Sequence, residues 1–406
     1  MKILHVIDSA DPSAGGPVEA IRNLVDAHEA RGHEVSVVTL DPPTAPWLQT
    51  TAGTWHGLGG NAGGFAFSRT LASWLRKNRA TYDIVIINGL WKFPGLAVWW
   101  TLRGNCPYLV YPHGMLDPWF KTHYPAKHLK KAIYWALFEN HVIRDAAAVC
   151  FTCEEERLLA RDTFRPYRCT ERVVGLGIVS PPEDVATQCA AFDGEYPALT
   201  KKPFLLFLSR LHEKKGVDLL LRGYAALTKS DSKNVAPLVI AGPPFSEAYL
   251  AELKSLARSL GLEIGNGKDV PGGSAPVVHF LPMLRGDLKW GAFRRSEAFV
   301  LPSHQENFGI AVVEALACAK PVLISNKVNI WREIESDAAG LVEADTEEGT
   351  LKMLSRWTLL SPVDKSGMAE NAVKCFRQRF HIDAAADTLL ELIREVAPAR
   401  TAILPS

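Results

Sequence analysis

Short apolar runs alternate along this chain with longer stretches in which apolar residues return every three or four positions. That alternation predicts parallel strands joined by covering helices, the α/β class. In the amino-terminal half, "KILHVID" (2–8), "EVSVVTL" (34–40), "YDIVIING" (82–89), "PYLVYPHG" (107–114) and "AAVCFT" (147–152) read as strands. Helices are expected between them. They are "GGPVEAIRNLVDAHEARGH" (15–33), "FSRTLASWLRKNRA" (67–80), "PGLAVWWTLR" (94–103) and "KKAIYWALFENHVIRDA" (130–146). The first has Pro17 in its opening turn and Gly32 at its end, the usual punctuation of a helix. "TCEEERLLAR" (152–161) is expected to open on a capping box of Thr152 and Glu155.

The period then breaks. Residues 178–203 hold several prolines and neither a helical nor a strand repeat, which predicts a linker or hinge. Alternation restarts with the strands "FLLFLSRL" (204–211), "PLVIAG" (237–242), "VVHFLPM" (277–283), "EAFVLPS" (297–303) and "PVLIS" (321–325). Between them lie the helices "GVDLLLRGYAAL" (216–227), "EAYLAELKSLARSLG" (247–261), "LKWGAFRRS" (288–296) and "GIAVVEALACA" (309–319). A pair of helices over 369–397 closes the chain. The reading is two doubly wound, Rossmann-like domains, 1–180 and 200–378, each starting with a strand. Ligands of such sheets sit beyond the carboxyl ends of the strands, so two facing sheets would make a cleft.

Composition narrows the class. The 406 residues are 47% hydrophobic and 22% charged, ordinary for a globular protein with a large core. With 45 basic and 44 acidic residues there is no global field to draw the protein to nucleic acid. Seven scattered cysteines, an odd number, fit reduced buried thiols of the cytosol better than a disulfide framework. The Cys150–Cys153 pair has no second ligand pair nearby and reads as core packing. The first residues do not read as a signal peptide, and no apolar run reaches the roughly 18 residues of a membrane span.

Candidate chemistry falls at three strand-to-helix turns. Arg210 and Lys215, in "LSRLHEKKGVD", follow a strand and precede a helix; two fixed cations near a helix N-terminus suit a diphosphate. Solvation of a loop explains the same pair without a ligand. Gly15 and Gly16, in "SAGGPVEAI", allow close backbone approach at another helix start, although the pattern is not the dinucleotide fingerprint GxGxxG. The third turn is "SHQENFGIAVVEALACAKPVLIS" (303–325). Its amides at Phe308, Gly309 and Ile310 open a helix, Glu306 lies in the loop, and Glu314 lies in the first turns. Carboxylates there can accept hydrogen bonds from sugar and ribose hydroxyls. A cap plus a buried ion pair is the plain alternative.

Taken together these segments resemble the retaining GT-B glycosyltransferases of family 4, the glycosyl transferases group 1, over nearly the whole chain. "ENFGIAVVEALACAKPVL" matches that family's E-x7-E segment and "SRLHEKKGVDLLL" its Arg-x4-Lys segment. "SAGGPVEAI" matches its glycine loop, "HFLPML" the strand and loop near which the base is bound, and "RFHIDAAADTLLELI" its closing helices. The resemblance implies a GT-B fold whose last helix, here 379–398, returns to the first domain. It implies that Glu314 holds the ribose and that Glu306 contacts the donor sugar. Amides of Asn307, Phe308, Gly309 and Ile310 would bind the sugar and β-phosphate. Arg210 and Lys215 would hold the diphosphate and stabilise the leaving group, Gly15 and Gly16 would approach it from the first domain, and Pro282 and Met283 would flank the base. His113, in "YPHGM", matches a histidine near the reacting centre; a structural histidine at a strand end is the competing reading.

By this resemblance the chain would move a hexose-type sugar from a GDP- or UDP-linked donor to a saccharide or lipid-linked acceptor, in polysaccharide or glycan synthesis. Configuration would be retained, and no metal or other cofactor would be needed. The absence of an Asp-x-Asp pair agrees with metal independence. Asn307 replaces a frequent glycine after the first acid, "SNKVNIWREI" (325–334) replaces a glycine pair, and "VIAGPP" lacks a common Gly-x-Gly ending, which leaves the donor open. On the acceptor side, Lys121, Lys127, Lys130 and Lys131 mix with Trp119, Phe120, Tyr124, Tyr134 and Trp135. The mixture suits a membrane interface, which would make the protein cytoplasmic and peripheral on the inner membrane face. A solvated helix face over a buried apolar side explains it equally. A nucleotide-sugar epimerase on a similar fold, or a non-catalytic sugar-nucleotide-binding partner, are the alternatives in other classes.

Overall fold

Strands buried on both faces need no polar side, and the unbroken aliphatic runs of this chain become the central strands of two parallel sheets. The computed structural model describes residues 1–397 except 13–14, 50–51, 61–63, 201, 231–234 and 270–275, with the backbone alone at Phe120 and Ser230. The chain divides into two compact units: Met1–Val179 with the segment from Phe380 onward, and Ser180–Arg379.

The first unit contains β1 (Lys2–Val6), β2 (Glu34–Thr39), β3 (Thr54–Gly57), β4 (Ile84–Asn88), β5 (Tyr108–Tyr111), β6 (Ala148–Phe151) and β7 (Glu171–Val173). They lie in the order β3-β2-β1-β4-β5-β6-β7, every neighbouring pair parallel. The second unit contains β8 (Phe204–Leu208), β9 (Leu238–Ala241), β10 (Glu263–Gly265), β11 (Val277–Leu281), β12 (Ser296–Leu301), β13 (Val322–Ser325) and β14 (Gly340–Glu343). Their order is β10-β11-β9-β8-β12-β13-β14, again all parallel. In each sheet the strands run outward in both directions from the first one. Successive strands therefore part between β1 and β4, and between β8 and β12, the positions where doubly wound sheets bind ligands. This is the GT-B class of fold, two Rossmann-like units.

The last helix, Ile382–Val396, belongs to the first unit. It packs Ile382, Ala386, Leu389, Leu390 and Ile393 into the core that also holds Ile3, Ile21 and Val37. Arg31 ties its surface, reaching Asp383 and Asp387 at 2.8 Å each. Beneath them His28 Nε2 lies 3.3 Å from the Ala386 carbonyl, and burial lowers its pKa to about 4. The chain leaves and re-enters this unit along adjacent backbones. Ile178 donates to Phe380 O and accepts from Ile382 N, both at 3.0 Å. Gly177 is required there, since a Cβ would stand 2.5 Å from Ile382 Cα.

Two local expectations are corrected. The presumed hinge over 178–203 contains a helix, Val185–Glu195, capped by Asp184, whose carboxylate accepts from Thr187 N. It packs on the helix Gly286–Arg295 through a close approach at Gly291, where a Cβ would be 2.2 Å from the Gln188 carbonyl. Its inward face is only Gln188 and Phe192, too sparse to display a helical period. The capping box at Thr152 and Glu155 does not form either. The helix starts at Glu154 behind Cys153, and Thr152 donates instead through N and Oγ1 to the buried Glu156, at 2.7 Å each. Cys150 and Cys153 are buried and form no disulfide, as expected of core residues.

Candidate functional site

The carboxyl ends of β8 and β12 carry most of the candidate residues. After β8 the chain makes a tight loop through Arg210 to a single 3-10 turn, Glu213–Lys215, and Gly216 closes it in the left-handed conformation (φ 63°). A side chain is excluded at Gly216 twice over: the backbone is left-handed, and a Cβ would stand 2.1 Å from the Pro302 carbonyl oxygen. This contact locks the β8 loop onto the β12 loop. Two more bonds repeat the lock, from His304 N and Ser303 Oγ to Lys214 O, at 2.7 and 2.8 Å. Behind the loop, Gly242 lets the β9 end pass the Ser209 carbonyl, which a Cβ would meet at 1.9 Å. The result is a rigid corner with Arg210 exposed and Lys215 largely buried.

Lys215 forms an ion pair with Glu306, joining the two loops by charge as well as by backbone. The Glu306 backbone is itself a bridge: its N donates to Lys327 O and its carbonyl accepts from Asn329 N, each at 2.9 Å. Asn329 Nδ2 reaches Asn307 Oδ1 at 3.3 Å. The segment that replaces the expected glycine pair thus braces the acid-bearing loop. Phe308 is buried, and Gly309 (φ 74°) caps the helix Ile310–Ala317 without any side-chain cap. Such a helix start presents backbone N–H groups and favours an anion. Glu314, in the second turn, is held by Lys289 from the helix Gly286–Arg295 at 2.7 Å. Pro282 and Met283 lie exposed past the end of β11.

Both expected acids therefore sit in lysine ion pairs, the arrangement that the plain alternative also foresaw. Lys215 was singled out from the sequence, whereas Lys289 and Asn329 were not. No local motif marks them, because their partners lie 25 and 22 residues away.

On the first unit Gly15 (φ 88°) caps the helix Gly16–Ala30, again with no side-chain cap. Ser13 and Ala14 of the same loop lie outside the described residues. His113 follows β5 in a left-handed turn (φ 49°). Its Nε2 lies 3.2 Å from Asn88 Oδ1, and Asn88 Nδ2 lies 3.3 Å from His5 Nδ1 and 3.2 Å from the Ile86 carbonyl. The carbonyl can only accept, so it fixes the amide nitrogen of Asn88 inward and its oxygen toward His113. The His113 proton then belongs on Nε2, which leaves Nδ1 as an acceptor. Burial lowers His113 to about 4 and His5 to about 3, so both rings are neutral near pH 7. Asn88 and His5 escaped the sequence reading because they lie toward the ends of two strands far apart in the chain. Beside them Asp8, past β1, pairs with Lys92.

The aromatic and basic stretch over 119–135 is redistributed. Trp135 is fully buried, its Nε1 donating to Pro166 O at 2.7 Å, and Lys131 turns inward over the Trp91 ring at 4.5 Å. Tyr134 faces Phe65 and Phe138, and Tyr124 is exposed with Lys127 over its ring at 5.0 Å. Trp119 stacks on His123. The Phe120 side chain is outside the description.

Comparison with known proteins bears on the family and the fold. Residues 191–374 match the family described as Glycosyl transferases group 1, and residues 15–177 match the Glycosyl transferase 4-like domain. The chain belongs to this group 1 family of glycosyltransferases, of GT-B fold. A D-inositol 3-phosphate glycosyltransferase of Actinosynnema mirum is 31% identical over 190 residues, 46% of this chain and 42% of that protein. The chain thus spans less than half the length of the first such relatives. A Corynebacterium jeikeium protein of the same name is 22% identical over 419 residues, 95% of this chain and 93% of its own length. Among solved structures, sucrose-phosphate synthase from Thermosynechococcus elongatus superimposes with a TM-score of 0.70 at 18% identity, covering 97% of this chain and 98% of that one. Anabaena HepE, solved in complex with UDP and glucose, gives 0.70 at 16% identity, with 97% and 100% covered.

Proposed function

We propose that the chain is a retaining, metal-independent glycosyltransferase. It moves a hexose-type sugar from a GDP- or UDP-linked donor to a saccharide or lipid-linked acceptor in glycan synthesis. The observation that carries this reading is the locked corner at the ends of β8 and β12, where Arg210, Lys215 and the uncapped helix start at Gly309 converge on one switch point. Breaking a sugar–phosphate bond builds negative charge on the leaving β-phosphate. Cations and amides held before the reaction stabilise that charge without reorganising. The two basic side chains do work that a metal ion performs elsewhere. Glu314, oriented by Lys289, accepts from ribose hydroxyls, and Glu306, oriented by Lys215, accepts from the sugar. A UDP–glucose pair in the Anabaena neighbour supports a nucleotide-sugar donor. His113 presents its Nδ1 acceptor as a neutral ring; no enzymic nucleophile is required, because the leaving phosphate takes the acceptor proton.

A thermal-shift panel of UDP, GDP, ADP and TDP without metal, on wild type and Arg210→Ala, tests this. A nucleotide that binds only the folded protein at about 100 times its dissociation constant adds roughly 2.7 kcal/mol. One base should stabilise the wild type strongly and the variant far less. Silence from all four removes the donor assignment.

A further inference from the structure

The helix Pro125–Tyr134 buries none of its residues, yet its apolar positions are not scattered. Leu129, Ile133 and Leu137 recur every fourth residue and are 64%, 57% and 58% exposed. Leu129 and Ile133, four positions apart, share one face of this helix, and Leu137 follows exposed in the π turn Trp135–Glu139. Phe138 extends the face and is exposed too. From Phe138 the apolar surface continues through ring contacts to Tyr134 at 5.4 Å and from Tyr134 to Phe65 at 5.9 Å, and Phe65 is also exposed. A helix of ten residues is marginal by itself, and an amphipathic one is normally held by burying its apolar stripe. Here the stripe points away from its own unit. Lys127 and Lys130 stand exposed beside it, and Lys121 is exposed on the preceding helix, Trp119–His123; no acidic residue lies between 118 and 138. An apolar ridge with these cations beside it is complementary to acyl chains beneath anionic headgroups.

We propose that the face built on Leu129, Ile133 and Leu137 seats on an anionic lipid bilayer, with Lys121, Lys127 and Lys130 at the headgroups. This differs from the surface expected from the sequence, since Trp135 and Lys131 take no part and three aliphatic residues do. The purpose of the docking, meeting a lipid-linked acceptor, rests on the transferase reading. The docking itself needs no donor, so the two readings fail separately.

The test is co-sedimentation of the full chain with vesicles of phosphatidylcholine alone and of phosphatidylcholine with 30% phosphatidylglycerol (about one anionic lipid in three, enough for a strong surface potential). The wild type should pellet with the anionic vesicles and stay in solution with the neutral ones. Ile133→Glu with Leu137→Glu should abolish pelleting. Both positions are exposed, so an unchanged melting temperature will show that the fold is intact. Lys127→Gln and Lys130→Gln should each weaken partition about five-fold, and salt should weaken it in the wild type. Equal binding to neutral vesicles, no binding, or binding untouched by the double glutamate variant would overturn the proposal. So would a wild type that elutes as a dimer and becomes a monomer in that variant, which would give the ridge to a second copy of the chain.

Discussion

The two sheets are wound alike, but the carboxyl ends of their strands are built from opposite materials. At the β8–β12 end, charges are paired across loops: Lys215 with Glu306, Lys289 with Glu314, and Arg210 left to solvent. At the β1–β4 end the centre is a neutral chain of His5, Asn88 and His113, sunk until the rings lose their protons. Permanent charge on a rigid backbone suits the diphosphate proposed for the first of these ends. Neutral donors and acceptors suit an uncharged group such as a sugar, since a buried unpaired charge would cost several kcal/mol. The difference teaches that one scaffold sets position, while the burial of a few polar groups sets chemistry.

Acid should separate the two ends most widely. His5, His28 and His113 have folded pKa values below the ordinary histidine value of 6.5. From pH 6.5 down to about 4 the unfolded chain binds protons that the folded first unit refuses, so stability is present above 6.5 and is lost as pH falls. Each histidine contributes about 1.4 kcal/mol per pH unit within its window. Glu139, whose buried carboxyl is pushed up to about 8, acts in the opposite direction between 4.5 and 8, but it is one group against three. Hydrogen exchange at pH 7, 6, 5 and 4.5, mapped by peptide, should show β1, β4 and β5 losing protection before β8 and β12. Simultaneous loss in both sheets would erase the contrast.

Gly216→Ala attacks the charged end through its backbone. A left-handed alanine pressed against the Pro302 carbonyl should cost about 3 kcal/mol, by strain and by displacement of the β12 loop. Urea denaturation followed with nucleotide titration should show lost stability together with lost nucleotide binding. A variant as stable as wild type would mean that the lock between the loops is dispensable.

Asn88→Asp is the gentlest change and sharpens the neutral end. A carboxylate facing His113 Nε2 favours the protonated ring, so its pKa should rise by one to three units, the usual effect of an adjacent opposite charge. NMR titration of the ring reads this directly. The acid limb of the turnover profile should move with it, whereas a purely structural role for this pair would shift the ring and leave that limb unmoved.

Much of this architecture was legible in the sequence, for physical reasons. Central strands such as β4 and β12 announce themselves because both faces are buried. The Glu306–Glu314 segment stands out because charged residues at the mouth of an apolar helix need a reason to be there. Partners brought by tertiary folding were not legible: nothing local marks Lys289, Asn88 or Asn329. Within the stretch over 119–135 the sequence alone does not separate inward from outward residues, because a π turn, Trp135–Glu139, interrupts the α-helical period at its end. Trp135, which opens the turn, is buried, and Leu137 within it is exposed.

The side-by-side backbones at Ile178 and Ile382 carry a topological consequence. The second unit is an insert: the polypeptide departs and returns at one place, and the first unit is a sheet covered by a helix, Ile382–Val396, that the chain reaches only after the insert. An insert with neighbouring ends can be excised and its host rejoined by a few linking residues. A stop codon just before the last helix would do the reverse, sparing the insert while opening the core of the host.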